Sequence, residues 1–282
     1  MDLRGHIVTT QRIGFIGGGN MAASIIGGLV ASGISASSIW ASDPNQQSLD
    51  TLRAIAPVNT GSDNQALIAA IDVLILAVKP QIMKMVASDI ADAVQSHQPL
   101  IITIAAGVTS ASLNNWLGGN AAIVRCMPNT PALVRCGATG LFANAQVSVV
   151  QRQQAEQILK AVGLALWVDQ ESQLDAVTAL SGSGPAYFFL VMEAMQAAGQ
   201  KMGLSAELAA QLTLQTALGA SKMAIDSDVD TAELRRRVTS PKGTTERAIA
   251  ILEQGGLRNV FEDALEGARL RAEELAIELE GA

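Results

Sequence analysis

The sequence predicts two domains: an α/β domain built on a parallel sheet over residues 1–169, and an all-helical domain over residues 170–282. In the first, short apolar runs alternate with helical patterns, as in a parallel sheet covered by helices on both faces. After about Gln170 the apolar runs of strand length stop and only helical patterns follow. A length of 282 residues is enough for two domains with their own cores.

Seven strands and six helices are predicted in the first domain, because continuous apolar runs alternate with apolar residues at helical spacing. The strands cover residues 12–17, 38–42, 73–78, 100–105, 122–127, 138–143 and 165–168. The helices cover residues 21–31, 48–56, 64–69, 82–94, 110–117 and 150–162. This order of elements predicts a doubly wound sheet.

The second domain is predicted to contain only helices. They cover residues 177–179, 186–202, 206–221, 231–237, 242–254 and 257–280. Residues 208–224, LAAQLTLQTALGASKMA, contain a single charge, so this helix is apolar on nearly every side and must be buried. We expect it to lie in a dimer or a larger assembly, with burial in the core of one subunit as the alternative.

The composition excludes several classes of function. A formal net charge of −7 disfavours nucleic acid and anionic membranes as main partners. Cys126 and Cys136 form no CxxC pair, so neither a metal site nor a disulfide scaffold is expected. Residues 1–11 look like a short flexible leader without a signal sequence, and the longest uncharged stretches are interrupted by polar residues. We therefore expect a soluble, cytoplasmic protein.

The turn after the first predicted strand carries the most informative motif, in the segment RIGFIGGGNMA. Gly17, Gly19 and Ala22 occupy the three small-residue positions of the dinucleotide fingerprint of a Rossmann-type domain. The first makes a tight turn, the second admits a pyrophosphate close to the backbone, and the third lets the helix pack closely. The amides that open the following helix are then expected to face the pyrophosphate.

Asp43 ends the second predicted strand, 21 residues after Ala22, where an acidic residue often binds the adenosine ribose diol. A carboxylate there favours NAD(H), because it repels the 2′-phosphate of NADP(H). An Asp-Pro pair also suits a simple turn, and Ser42 and Asn45 are alternative partners for a 2′-phosphate. The choice of cofactor stays open at this point.

Two later strand ends belong to the same edge of the predicted sheet. Residues 76–80 (LAVKP) end the third strand, and residues 104–108 (IAAGV) end the fourth. Ligands of open α/β sheets bind beyond the carboxyl ends of the strands, near the point where the strand order reverses. Small residues there leave room for a nicotinamide ring, although both segments also fit ordinary turns.

The proton donors that a carbonyl reductase needs are missing. His6 lies in the leader and His97 in a polar loop, and Tyr187 is followed four residues later by Val191, where short-chain reductases have lysine.

The 3-hydroxyacid dehydrogenase pattern G-x-G-x-x-x-K-x-x-x-N nearly matches the chain from Gly182, but Phe188 and Met192 replace its lysine and asparagine. A protonated cyclic imine needs no such donor, because it is already a cation and its reduction gives a neutral amine. Orientation, a hydrogen-bond partner for nitrogen and a carboxylate anchor are then sufficient.

Residues 238–246, VTSPKGTTE, provide small hydroxyl groups and backbone amides before a predicted helix. The first turn of that helix suits a substrate carboxylate. As an alternative, Ser240 is simply the N-cap and Pro241 the first residue of an ordinary helix.

Six motifs in order along the chain resemble those of the pyrroline-5-carboxylate reductase family, over about residues 12–274. They are GFIGGGNMA (14–22), AVKP (77–80), IAAGV (104–108), RCMPNTPALV (125–134), ALSGSGPAYFF (179–189) and VTSPKGTTERAI (238–249). The resemblance implies a Rossmann-type domain followed by an all-helical substrate-binding and dimerisation domain. It also implies reduction of L-1-pyrroline-5-carboxylate to L-proline with NADPH or NADH, in interlocked homodimers commonly built into homodecamers.

The resemblance further implies roles for the matching positions. The cofactor is expected to contact Gly17, Gly18, Gly19, Asn20, Met21, Ala22, Ser42, Asp43, Asn64, Ala77, Val78, Lys79, Pro80, Ala105, Ala106 and Gly107. The substrate is expected to contact Val238, Ser240, Gly243, Thr244 and Thr245 across the dimer. Thr245 is the expected catalytic residue, hydrogen-bonded to the ring nitrogen. Lys242 replaces a usual glycine, so it either adopts a positive φ at some strain cost or points outward.

Two other classes of function stay open. One is a different NAD(P)-dependent reductase, of a hydroxyacid or of a six-membered cyclic imine. The other is a nucleotide sensor that keeps the fold without turnover. The residues at positions 188 and 192 argue against hydroxyacids, and the hydroxyl-rich segment 238–245 argues against a sensor.

Overall fold

The computed structural model describes residues 11–280. They form two compact units, one of residues 11–183 and 268–280 and the other of residues 184–267. Among the described residues, none of the helices combines the length and the hydrophobicity that a membrane span requires. Most of the predicted leader, including His6, lies outside the described residues.

One eight-stranded sheet forms the centre of the first unit. Its strands are β1 (Ile13–Ile16), β2 (Ile39–Ser42), β3 (Asn59–Gly61), β4 (Val73–Leu76), β5 (Leu100–Thr103), β6 (Ile123–Met127), β7 (Gly137–Ala143) and β8 (Gly163–Trp167). The spatial order is β3-β2-β1-β4-β5-β6-β7-β8, with every neighbouring pair parallel except β6 and β7. The order reverses between β1 and β4, so the predicted Rossmann-type sheet is confirmed.

The sheet separates two apolar cores, because successive strand residues point to opposite faces. On β1, Ile13 and Phe15 belong to one core and Ile16 to the other. On β4, Ile75 and Leu76 divide in the same way, and all five side chains are almost fully buried. Burial on both faces is the reason that these strands are continuous apolar runs.

Eight helices belong wholly to this unit. They are α1 (Asn20–Ala31), α2 (Gln46–Ile55), α3 (Asn64–Ala69), α4 (Pro80–Asp89), α5 (Ala91–His97), α6 (Ser110–Trp116), α7 (Val149–Lys160) and α8 (Gln173–Val177), which continues into a π-helical turn (Thr178–Gly182). The prediction of one helix over residues 82–94 was wrong. Ile90, at φ −98° and ψ 1°, ends α4, and the Gln65 side-chain amide donates to the Asp89 carbonyl at 2.7 Å.

The second unit contains the remaining helices: α9 (Gly184–Lys201), α10 (Ala206–Ile225), α11 (Thr231–Arg237), α12 (Thr244–Gln254) and the first half of α13 (Leu257–Glu280). Its only buried residues are Gly184, Gly199, Ala209 and Thr213. The leucines of the very apolar stretch 208–224 are exposed in one chain, three of them by more than half. The alternative prediction, that this stretch is buried in the core of one subunit, is therefore wrong.

The two compact units do not coincide with the predicted division at residue 170. Residues 170–183 pack against the sheet: a Cβ added to Gly140 on β7 would lie 2.8 Å from a methyl group of Val177, and the Asn129 amide donates to the Ser181 carbonyl at 2.9 Å. The end of α13 also belongs to the first unit, where Leu279 lies against Gly107. These contacts are long-range in sequence, and helical periodicity does not reveal them.

A buried ionic network joins β6, α6 and α8. Arg125 is 5% exposed, and its guanidinium donates to a Glu171 carboxylate oxygen at 3.2 Å. Glu171 also accepts hydrogen bonds from the amide and the hydroxyl of Ser110, the first residue of α6, each at 2.6 Å. Asp175 lies 4.0 Å from Arg125, and burial raises the pKa of its carboxyl. Glu171 is therefore the main counter-charge of Arg125.

We expect Glu171→Gln to lower the free energy of unfolding by about 3 kcal/mol, because it leaves a buried guanidinium without its nearest negative charge. Urea unfolding at one fixed protein concentration measures the loss. The control is Asp50→Asn, which removes the acid of an exposed pair with Arg53 and should cost at most about 1 kcal/mol. Equal losses in the two variants would contradict the role of Glu171.

Candidate active site

Gly17 makes the sharp turn between β1 and α1. Its φ is +101°, and a Cβ at this position would lie 2.6 Å from the carbonyl oxygen of Ala77, which follows β4. Its amide donates to the Ser42 carbonyl at 2.8 Å. Only glycine combines this backbone conformation with so close an approach of two strand ends.

The helix α1 begins at an open surface. Gly19 is its N-cap and supplies no side chain to accept from the first-turn amides, and no atom lies within 4 Å of a Cβ built on it. Ala22 is fully buried in the core beneath the helix, so the third fingerprint position serves close packing. The first turn therefore presents unpaired amides and the positive end of the helix dipole to the space above Gly19.

The Asp43 carboxylate connects the end of β2 to the glycine turn. One oxygen accepts from the Gly18 amide at 2.7 Å, and the other accepts from the Asn45 amide at 2.8 Å. The second bond is that of a local turn centred on the Asp-Pro pair. The structure thus contains the turn expected of an Asp-Pro pair. The contact of Asp43 with a ribose stays a prediction.

A cavity of about 620 Å³ opens at the carboxyl ends of β1, β2 and β4. Its lining includes nine of the sixteen predicted cofactor residues: Gly17, Gly18, Gly19, Ser42, Asp43, Asn64, Ala77, Val78 and Lys79. Residues from four different segments of the sequence therefore meet at the switch point of the sheet, where this fold class binds its ligands.

Sequence reasoning missed eight residues of this lining: Ile16, Pro44, Ser48, Ser62, Ile82, Met85, Val86 and Asp89. Four of them, at positions 82, 85, 86 and 89, form one face of α4. Their spacing of three, one and three residues is that of a single helical face, so the sequence contained a signal for them. Ser62 was missed because the short strand β3 before it was missed.

The other seven predicted cofactor residues do not line the cavity. They are Asn20, Met21, Ala22, Pro80, Ala105, Ala106 and Gly107. Pro80 is the first residue of α4, and the preceding Lys79 is extended at φ −62° and ψ 144°, as expected before proline. Their cofactor contacts stay predictions.

Residues 105–107 follow β5, at the same edge of the sheet as the cavity, because Thr103 pairs with Leu76 of the adjacent β4. Gly107 has a φ of +75°, and a Cβ there would lie 2.9 Å from a methyl group of Leu279 on α13. The positive φ therefore favours glycine here, and a Cβ would also displace the end of the Leu279 side chain. This explanation does not depend on a ligand.

In the second unit, the predicted substrate segment connects α11 to α12. The helix α12 begins at Thr244 with Gly243 as its N-cap, so the alternative with Ser240 as N-cap and Pro241 as first helical residue is wrong. Residues 240–243 form a turn closed by a 3.0 Å hydrogen bond from the Gly243 amide to the Ser240 carbonyl. Proline and a residue of positive φ occupy its two central positions, as in a type II turn.

Lys242 combines both expectations made for it. Its φ is +58°, in the region where glycine is favoured, and its side chain is exposed. Its amide donates to the Glu246 carboxylate at 2.7 Å, which fixes the turn against the first turn of α12. The strained conformation is therefore held by the turn and by this hydrogen bond.

The amides in the first turn of α12 receive no side-chain cap, since Gly243 has no side chain. Among the described helices, α1 begins in the same way. Six others have a capping side chain: Asn45, Asp63, Thr109, Ser148, Ser205 and Asp230. The two glycine-capped helices are the two whose first turns were predicted to bind anions.

Two family models match the chain. The model for pyrroline-5-carboxylate reductase dimerisation matches residues 171–275, and the model for the NADP oxidoreductase, coenzyme F420-dependent family matches residues 12–107.

The chain is 56% identical over 272 residues to the pyrroline-5-carboxylate reductase of Pseudomonas aeruginosa, which covers 96% of this chain and 99% of the relative. A solved pyrroline-5-carboxylate reductase from Coxiella burnetii has a TM-score of 0.92 and 47% identity, over 95% of this chain and 99% of that one. The solved pyrroline carboxylate reductase of Plasmodium falciparum, with NADP bound, has a TM-score of 0.83 and 29% identity, over 95% and 98% of the two chains.

We expect Gly19→Val to abolish dinucleotide binding. The valine side chain fits the protein, because no atom lies within 4 Å of its Cβ, but it fills the space above the amides of α1. Titration of nucleotide fluorescence measures binding. Gly27→Ala, on the same helix and in ordinary contact with Ile55, is the control and should bind normally. Retained binding by Gly19→Val in a folded protein would refute the placement of the pyrophosphate.

We expect Lys242→Gly to raise the free energy of unfolding by about 0.5–1 kcal/mol, because glycine adopts a positive φ without the steric cost of a Cβ. Lys242→Ala keeps the Cβ and removes only the charged end, so its stability should stay close to that of the natural protein. Urea unfolding at equal protein concentration compares the three proteins. A similar gain in both variants would assign the effect to the lysine charge.

Proposed function

The chain belongs to the pyrroline-5-carboxylate reductase family, and we propose that it performs the reaction of that family with the residues described above. It is an NAD(P)-dependent oxidoreductase that reduces L-1-pyrroline-5-carboxylate to L-proline, the final step of proline biosynthesis. The observation that carries this conclusion is the 56% identity to a reductase of that name over 96% of the chain, which includes both the glycine turn and the segment 238–245.

The cavity of the first unit fits the dinucleotide. The open space above Gly19 and the uncapped amides of α1 suit the pyrophosphate, which we assign to residues 17–22. Ser42, Asp43 and Asn64 are assigned to the adenosine side, and residues 77–80 and 105–107 to the nicotinamide side. When bound, NAD(P)H supplies the hydride.

The lining of this cavity suits the reduction of a cation. Its titratable side chains are Asp43, Lys79 and Asp89, and it contains neither histidine nor tyrosine. His97 is the exposed last residue of α5, and the described residues contain no group of side chains suited to a metal ion. A protonated cyclic imine accepts hydride at its imine carbon, C2 of the pyrroline ring, and becomes a neutral amine, so no proton donor is needed to stabilise an alkoxide.

The segment 238–245 supplies the groups that such a substrate requires. The amides in the first turn of α12 suit its carboxylate, since Gly243 leaves them without a side-chain cap. We assign the ring nitrogen to the Thr245 hydroxyl. Val238, Ser240 and Thr244 complete the site, and its position across a dimer is part of the proposal.

The second unit supports association. Phe188, Phe189 and Leu190 on α9 are each about two-thirds exposed, and large side chains of α10 are similarly exposed. Exposed apolar surface of this extent marks a contact between proteins. We propose a homodimer formed through residues 170–282, the substrate-binding and dimerisation domain, and a homodecamer built from such dimers. We propose that dinucleotide binding belongs to the remaining part of the chain, residues 1–169.

We also propose a cytoplasmic location. Cys126 is buried and Cys136 is exposed, and both are free thiols. An exposed free thiol suits a reducing compartment.

The function is tested by the loss of NADPH or NADH absorbance on addition of pyrroline-5-carboxylate, its six-membered homologue or a keto acid. We expect oxidation of the cofactor with pyrroline-5-carboxylate and none with keto acids. Turnover of keto acids in the absence of any reaction with cyclic imines would overturn the proposal.

We expect Thr245→Ala to lower kcat by about 10- to 100-fold, because a hydrogen bond to a charged nitrogen contributes about 1.5–3 kcal/mol. The dissociation constant of the cofactor should stay unchanged. Thr245→Ser keeps the hydroxyl and is the matched control, with expected recovery of most of the rate. Full activity of the alanine variant would refute the role of Thr245.

A further inference from the structure

The last turns of α13 lie behind the turn that follows β5. A Cβ on Gly107 would be 2.9 Å from a methyl group of Leu279 and 3.5 Å from the amide nitrogen of Ala276. The backbones of the helix and of the turn therefore approach each other closely. Ala272 and Ala276 precede Leu279 by seven and three residues, which places all three on one face of the helix. Ala272 is buried and the other two are partly buried, so this face of α13 is the one that packs on the first unit.

The Leu279 side chain lies at the carboxyl ends of β4 and β5. It packs against the same apolar core as Val78, which follows β4. It also lines a cavity of about 390 Å³ together with Pro80, the first residue of α4, and Trp116, the last residue of α6. Leu279 is therefore next to both segments that are proposed to face the nicotinamide.

Hydrogen bonds hold the turn after β5 near its two ends. The Ile104 amide donates to a β4 carbonyl at 3.3 Å, and the amide and the hydroxyl of Ser110 donate to Glu171, each at 2.6 Å. Between these two points, the contact at Gly107 is the apolar one with Leu279. A side chain behind the middle of the turn keeps its backbone from moving away from the sheet edge.

We propose that Leu279 is a positioning residue for hydride transfer. It supports residues 105–107 from behind, and these residues hold the nicotinamide ring in the orientation that the reaction needs. Such support matters because a displacement of about 1 Å in the reacting groups can cost about 100-fold in rate. The inference rests on the proposed function, in which residues 105–107 face the nicotinamide, and it adds a residue that acts through the turn.

Leu279→Ala tests the proposal, because it removes the support and leaves a gap that the neighbouring side chains fill only in part. We expect kcat with pyrroline-5-carboxylate to fall about tenfold, since the turn gains freedom to move. The rate is measured as the loss of NADPH or NADH absorbance, and it is divided by the number of nucleotide sites.

Calorimetric titration with an adenosine fragment of the cofactor counts those sites. The fragment is 5′-ADP or 2′,5′-ADP, whichever the natural protein binds more tightly. Neither contains a nicotinamide, so Leu279→Ala should bind the fragment as the natural protein does. A merely structural role for Leu279 would lower the number of sites and leave the rate per site unchanged.

Three further variants complete the test. Ile277→Ala is the matched control, because Ile277 lies on the same turn of α13 and is 71% exposed, and it should keep the natural kcat. Leu279→Met keeps the length of the side chain and should keep most of the rate. Leu279→Val is a milder truncation with an expected intermediate kcat, and it replaces the alanine variant if that protein fails to fold.

Three results would overturn the inference: a natural kcat per site in Leu279→Ala, or in Leu279→Val where it takes its place, an equal loss in Ile277→Ala, or weaker binding of the adenosine fragment by the Leu279 variants. Failure of the proposed function gives a different result, in which the natural protein binds the fragment but oxidises no cofactor with cyclic imines.

Discussion

The candidate site depends on the close approach of three strand ends at Gly17. The amide of Gly17, which follows β1, donates to the carbonyl of Ser42 at the end of β2. The amide of Ala77, which follows β4, donates to the carbonyl of Ile16 at the end of β1, and both distances are 2.8 Å. With a Cβ position only 2.6 Å from the Ala77 oxygen, any side chain would separate β1 from β4. This contact sets the direction in which α1 leaves the sheet, and so aims its first-turn amides at the cavity. The turn also places Gly18 within reach of Asp43, which connects the third strand end to the same point.

The N-termini of the described helices differ in how their first-turn amides are paired. At six of them a side chain, such as Asp63 or Ser148, accepts orphan amides of the first turn. At α1 and α12 the N-cap is glycine, which provides the backbone conformation and no acceptor. Unpaired amides are tolerated there because they face solvent or an anion. An Asp or Ser at Gly19 or Gly243 would satisfy the helix and occupy the place of the ligand.

Most of the fold was predictable from the sequence, because the sheet is buried on both faces and its strands are apolar runs. The missed strand β3 (NTG) lies at the edge of the sheet, contains no large apolar residue and gives no such signal. At the break between α4 and α5 the Asp89 carbonyl accepts from the Gln65 amide, 24 residues earlier in the chain, and the start of α12 follows a turn whose Ser-Pro pair also fits an N-cap. Within the site, the glycine turn was predictable from local backbone requirements. The lining face of α4 has a helical spacing that the sequence shows, whereas the double use of Asp43 arises from a tertiary contact with Gly18, which spacing along the chain does not contain.

The second unit relates sequence to structure in another way. Its helices α9 and α10 are rich in apolar residues, yet the side chains of Phe188, Leu212 and Leu218 are more than half exposed. Each such side chain gains about 1.5–3 kcal/mol when it is removed from water, and little of that gain is realised within one chain. Association therefore supplies stability that other domains obtain from an interior. The segment 238–245 of the proposed substrate site lies between two helices of this unit, α11 and α12. A proposed site made of backbone amides and small hydroxyl side chains requires the path of the chain to be fixed and no pair of ionisable groups to be aligned.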